Sequence, residues 1–161
     1  MVQVDCVFCK LKDNPAGVIR ESAMSYAVLD TFPIEEGHLL VIPKEHYGDV
    51  LSAPDEVVAD MFILAKSLAI LLKEKTGADG INIATNIGES AGQLIMHAHV
   101  HVIPRHSGKP RSFSRGPKLS AKDKARLTAL LSTDIDDAIS GQIASVLEIN
   151  SLYDKKLYSI D

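Results

Sequence analysis

Three of the six histidines in this 161-residue chain alternate along one short segment: His97, Ala98, His99, Val100, His101, Val102, Ile103, Pro104. An extended backbone sends successive side chains to opposite faces. His97, His99 and His101 therefore share one side, roughly 6.5 to 7 Å apart along the strand. Imidazole costs more to bury than valine, and its ordinary pKa of about 6.5 makes each ring a proton carrier, nucleophile or metal ligand near neutrality. Three uses fit the pattern. The rings can supply a nucleophile with flanking acids, a non-catalytic binding surface, or the ligands of a catalytic metal, since alternate histidines on a strand also suit zinc.

Directly upstream lies a polar, glycine-punctuated turn, Asn86 to Gln93. Backbone amides near Gly88 and Gly92 and the side chains of Asn86 and Gln93 can gather around one anion, or simply stabilise the loop. From Ser90 to Lys122 there is no carboxylate, while Arg105, Lys109, Arg111, Arg115, Lys118 and Lys122 all fall there. Such a run is either a solvated basic loop or a local positive field suited to a small phosphate-bearing ligand. Cys6 and Cys9 form the second reactive pair, and Cys-x-x-Cys reads as metal ligation or redox chemistry before structural disulfide. Redox pairs of this spacing sit at a helix start after a strand, which the flanking sequence does not predict. Free thiols without an export signal point to a reducing, cytoplasmic compartment.

The elements that must position these groups follow from periodicity and punctuation. Gly17–Glu21 and Ser25–Leu29 read as two short strands joined by a turn, and Gly37–Pro43 as a buried strand ended by proline. A long helix follows, with Ser52 as its expected cap and Pro54 in its first turn. Val57, Met61, Leu64, Leu68 and Leu71 form its apolar stripe, and Gly77 its stop. Gly80–Asn86 and Met96–Pro104 alternate as strands. Beyond Pro117 the pattern turns helical, with Ser120 and Asp123 as a capping pair and a second helix expected from about Asp134 to Leu147. Strands, one long helix and more strands predict an α+β domain over residues 1–117 with a helical extension over 118–161. The net charge of −4 argues against a general nucleic-acid coat, and no apolar run approaches the ~20 residues that span a bilayer.

The alternating histidines, the Asn86–Gln93 loop, and the earlier Leu29-Asp30 and Gly37-His38-Leu39-Leu40-Val41-Ile42-Pro43-Lys44 segments together make the chain resemble the histidine-triad superfamily of nucleotide hydrolases and transferases. The resemblance spans roughly Cys6 to Arg105. It implies a histidine-triad fold: a five-stranded antiparallel sheet with one long helix. It implies His99 as a nucleophile toward the α-phosphorus of a nucleotide, leaving a nucleotidyl-histidine for water to cleave. His101 and His38 would flank the phosphate, with His97 completing the catalytic group. Asn86, Gly92 and Gln93 match phosphate-side positions, and Asp30 matches a ribose-binding carboxylate unless it merely opens its turn.

In relatives of this kind a Cys pair, a later histidine and the first triad histidine bind zinc. The matching set is Cys6, Cys9, His46 and His97, and a metal-bound His97 would pin the segment carrying His99 rather than donate a proton. Ile103-Pro104-Arg105 after the triad resembles the dinucleoside-polyphosphate hydrolase branch, and Leu94 stands where the phosphoramidase branch carries a serine. Hydrolysis of nucleoside phosphoramidates and nucleotide binding without turnover remain alternatives. The resemblance also implies a homodimer and no organic cofactor.

Overall fold

The computed structural model of the chain describes residues 6–12, 17–110 and 112–132. Its elements are α1 (Val7–Leu11), β1 (Val18–Glu21), β2 (Ser25–Leu29), β3 (Leu39–Pro43), α2 (Asp55–Thr76), β4 (Gly80–Ala84), β5 (Val100–Arg105) and α3 (Ala121–Leu131). The strands form one antiparallel five-stranded sheet in the order β1-β2-β3-β5-β4, so the fold is α+β. β5 is last in sequence among the strands yet lies between β3 and β4. His101 consequently pairs with Leu40 on one side and Ala84 on the other, deep in the sheet.

β3 is apolar at every position because both of its faces are covered. Leu39 and Val41 join Ala27, Leu29, Val100 and Val102 beneath α2, whose Met61, Leu64, Leu68 and Leu71 complete that core. Leu40 and Ile42 face the other way, with Tyr26, Val28 and Phe8 of α1. α2 ends as the sequence predicts. Gly77 adopts φ +69° and its N–H bonds the Lys73 carbonyl at 3.1 Å, a left-handed cap that glycine adopts without a Cβ penalty.

Two expectations need correction. Ser52 does not cap α2; its hydroxyl donates to the Asp49 carbonyl within the preceding turn, and the helix begins after Pro54, which fixes the backbone without a side-chain cap. The hydrogen-bonded strand carrying the histidines starts at Val100, not Met96. His97 to His99 run ahead of it, fastened by the Ala98 N–H to the Tyr47 carbonyl at 2.7 Å.

In the extension, Ser120 accepts from the Asp123 amide as a cap, and Leu127 and Leu131 of α3 enter the same core beneath the sheet. Arg111 and the second helix expected at 134–147 lie outside the described residues. Among the described residues no helix is long and apolar enough to cross a membrane.

Candidate active site and metal cluster

The sheet face opposite α2 carries a cavity of about 690 Å³, lined by Asp30, His38, Asn86, Gly92, His99 and His101 together with apolar residues. Alternation brings the histidines here. Ala98, Val100 and Val102 are buried toward α2, which sends His99 and His101 to the opposite face. His99 is 6% exposed, packed edge-on against Phe8 at 5.4 Å and against His101 at 4.9 Å between ring centroids.

Backbone groups settle the tautomers, because an N–H must donate and a carbonyl must accept. The Ile34 N–H donates to His38 Nδ1 at 3.2 Å, so the proton of neutral His38 is on Nε2. That Nε2 donates to His101 Nδ1 at 3.0 Å, which puts the His101 proton on its own Nε2. His99 is arranged oppositely: its Nδ1 donates to the His97 carbonyl at 2.8 Å, leaving Nε2 with a lone pair. The site thus pairs a bare nitrogen on His99 with an N–H on His101. Burial lowers the pKa of His38 and His101 to about 4, against the opposing pull of Asp30, and burial also lowers that of His99. All three rings are neutral near pH 7.

Asp30 accepts from the Phe32 amide at 2.8 Å with one oxygen and sets the other 3.5 Å from His38 Nδ1. It both closes its turn and lines the cavity. Asn86 bonds the Gly92 carbonyl at 3.4 Å across the loop, and Gly92 holds φ +85°. Gln93 is placed elsewhere: 1% exposed, it accepts from the Gly88 amide and donates to the Gly48 and Ile95 carbonyls. Its amide is spent on holding the loop, so it does not face the cavity. The sequence reading missed Phe8 and Phe113 as lining residues, and named Arg115 only as one cation of the basic run. Phe8 follows Cys6 by two residues, and α1 was too short to read from periodicity.

His97 also leaves the cavity. Its ring faces Cys6, Cys9 and His46, whose candidate ligand atoms all lie within 4.8 Å of one another. The His97 Nε2 donates to the Pro43 carbonyl at 3.1 Å, so its lone pair is on Nδ1, facing the thiols. Zinc–sulfur and zinc–nitrogen bonds of about 2.3 and 2.0–2.1 Å at tetrahedral angles require ligand-to-ligand edges of about 3.3–3.8 Å. The observed separations are 3.3 Å for Cys6–His97, 3.4 Å for Cys9–His46, 3.6 Å for Cys9–His97 and 3.2 Å for His46–His97. The residues fit a tetrahedral thiolate–imidazole centre. Cys6 does stand at a helix start, contrary to the sequence reading, but α1 has five residues and the thiols face two imidazoles rather than each other alone. Asp30, His38 and His101 also converge within 4.8 Å, yet both His38 nitrogens are already hydrogen-bonded.

A five-stranded antiparallel sheet presenting alternate histidines to a cavity beside a Cys/His cluster defines a histidine-triad protein. The HIT domain family matches residues 12–108, and the chain belongs to that family. It is 41% identical over 106 residues to the adenylylsulfatase HINT3 of Arabidopsis thaliana, covering 65% of this chain and 54% of that protein, about half of the relative's length. A zinc-bound histidine triad family protein from Mycobacterium smegmatis superposes with a TM-score of 0.70 at 37% identity, covering 88% of this chain and 97% of that one. A hypothetical histidine triad nucleotide-binding protein from Sulfolobus tokodaii gives 0.72 at 31% identity, covering 84% and 93%.

Proposed function

We propose that the chain is a nucleotidyl hydrolase that opens the bond between the α-phosphorus and the departing group of dinucleoside polyphosphates and related nucleotides. The observation that carries this reading is the bond from His99 Nδ1 to the His97 carbonyl, which leaves Nε2 unprotonated at the cavity. A neutral imidazole is nucleophilic near pH 7, and attack by His99 splits one difficult displacement into two easier ones. The adjacent Nε2–H of His101 donates to a non-bridging phosphoryl oxygen as charge grows there, and His38 fixes His101 in that tautomer. Asp30 receives ribose hydroxyls, and Asn86 and the loop at Gly92 meet the phosphate. Gln93 supports that loop from beneath. Adenylylsulfatase activity in a relative and nucleotide binding in structural neighbours support the substrate class.

His97 holds His99 through its carbonyl and binds metal through its ring, with Cys6, Cys9 and His46 as the remaining ligands. Zinc there would be structural, held by Cys6 and Cys9 at α1, by His46, and by His97 in the segment ahead of β5. No organic cofactor is required. Amine-linked nucleotides are the second reading, disfavoured by Leu94, an apolar, 68% exposed residue at the cavity. A homodimer is supported by β4 lying at the sheet edge with Ile83 exposed and by exposed Phe62 on α2. The free thiols favour the cytoplasm. Residues 1–117 form the catalytic domain and 118–161 an extension that begins by joining its core.

The test is product analysis with α-labelled diadenosine tetraphosphate, adenylyl sulfate and an amine-linked AMP, with mass spectrometry for a trapped nucleotidyl group. An adduct on His99 that survives chelator is the expected result. Full turnover by His99→Ala sinks the assignment.

A further inference from the structure

Residues 112–119 form a strap across one side of the cavity, beyond the 12–108 segment that the family matches. Two backbone bonds lay it along the turn after β2. Gly116 donates to the Pro33 carbonyl at 3.0 Å and Leu119 to the Thr31 carbonyl at 2.8 Å. The approach is so close that a β-carbon at Gly116 would collide with the Pro33 carbonyl oxygen, so the crossing requires glycine. Two cation–π contacts fasten the strap: the Arg105 guanidinium lies 5.1 Å from the Phe113 ring, and that of Arg115 lies 4.6 Å from Phe32. Both Phe113 and Arg115 line the cavity with His99 and His101.

Two other cations of this region are paired with carboxylates, and Arg105 is held by the Asn82 side chain and the Phe113 ring. Lys109 pairs with Glu35 at 3.2 Å and Arg126 with Glu36 at 3.0 Å. Arg115 has no carboxylate partner among the described residues. It lines the same cavity as His99 and His101, and its positive charge adds, after burial and His99, to what disfavours protonation of His101.

We infer that Arg115 selects the leaving group, its guanidinium receiving the oxyanion half of the substrate that His99 displaces and so favouring phosphate-chain or sulfate leaving groups over amines. This rests on the nucleotidyl-transfer reading above. In the displacement the His99 Nε2 lone pair forms the N–P bond, and the electrons of the breaking P–O bond leave with the departing oxygen. That oxygen carries negative charge, and a guanidinium beside it stabilises the charge as it develops. Water then bonds to phosphorus, the N–P pair returns to His99, and the water proton passes to solvent. A departing amine differs, because it must take up a proton as its P–N bond breaks. A fixed positive charge beside that nitrogen raises the cost of protonating it. One residue therefore acts with opposite sign on the two substrate classes.

The experiment measures kcat/KM for diadenosine tetraphosphate, adenylyl sulfate and an amine-linked AMP on wild type, Arg115→Gln and Arg115→Lys. Alongside, equilibrium binding of AMP and of a non-hydrolysable dinucleoside polyphosphate is measured by calorimetry. Arg115→Gln is expected to lower the ratio of oxyanion-substrate to amine-substrate kcat/KM at least about tenfold, as loss of a charge-assisted contact requires. Arg115→Lys, which keeps the charge, is expected to hold it within about threefold of wild type. The larger of the two oxyanion losses identifies whether phosphate or sulfate is the preferred group. A uniform loss on all substrates, an unchanged ratio, or a lysine variant as impaired as glutamine overturns the inference. In binding, Arg115→Gln is expected to erode the wild-type preference for the polyphosphate over AMP, and an undiminished preference overturns the inference independently of turnover. A wild type that binds with this preference but hydrolyses nothing refutes only the nucleotidyl-transfer reading.

Discussion

The His97 carbonyl oxygen accepts the Nδ1 proton of His99 at 2.8 Å, so the ring proposed as nucleophile is aimed by the residue whose own ring turns away to the Cys6–Cys9–His46 cluster. Removing the aimed ring should separate chemistry from binding. His99→Ala is expected to lower kcat by about 10³-fold or more. Nucleotide affinity should stay within about tenfold, or ~1.4 kcal/mol, because the rest of the cavity is intact. Stopped-flow turnover with calorimetric binding on the same preparation checks both halves.

The Cys/His cluster and the proposed nucleophile share one backbone unit, so loss of the cluster's thiols should act on stability first. Cys6→Ser with Cys9→Ser is expected to abolish zinc content by elemental analysis and to lower the thermal midpoint, since metal-binding energy is folding energy at such sites. Turnover of the folded fraction should decline less than stability does. Protein purified without chelator that contains no zinc defeats the prediction.

Acid should destabilise the fold through the cavity histidines. His38 and His101 titrate near 4 in the folded chain because they are buried, against about 6.5 when unfolded. Between those values the unfolded chain binds more protons, so stability falls as pH drops from about 6.5 toward about 4 and is retained above that window. The double variant His38→Asn with His101→Asn should flatten this part of the profile. Urea midpoints recorded at about pH 7 and about pH 4.5 on both proteins provide the comparison.

The sheet was legible in the sequence because period-two alternation and proline stops are local signals. The same holds for α2, whose stripe and Gly77 stop both stand where they were read. What escaped depended on contacts between distant residues. Nothing near Gln93 announces that the Gly48 carbonyl, 45 residues away, will claim its amide. Phe8 and Arg115 reach the cavity only because α1 and the strap are laid there by tertiary contacts. His97 reads in two ways: alternation places it with His99 and His101, and the family resemblance places it with Cys6, Cys9 and His46. The strand begins only at Val100, and the ring lies with the Cys/His cluster.

α3 should be inseparable from the core that it packs into beneath the sheet. Leu127 is 1% exposed among residues of α2 and the sheet. Leu127→Ala is expected to cost about 2–5 kcal/mol, as a cavity in a close-packed core does. Denaturant unfolding that changes by less than about 0.5 kcal/mol would show that α3 packs only loosely.

Gly116→Ala probes the strap without removing any charge. Its new methyl meets a backbone oxygen that cannot swing aside, so the segment must lift from Pro33. A loss of about 1–3 kcal/mol is expected from such overpacking, read by thermal denaturation. The Arg115-dependent substrate ratio should move in the same direction as in Arg115→Gln.

Because the strap follows the last strand instead of interrupting the sheet, the proposed nucleophile and the proposed selector of the leaving group belong to separate stretches of the chain. On the inference drawn for Arg115, exchanging only residues 112–118, with α3 kept in the core, should retune which half-molecule is discarded while the bond from His99 to the His97 carbonyl stays as it is.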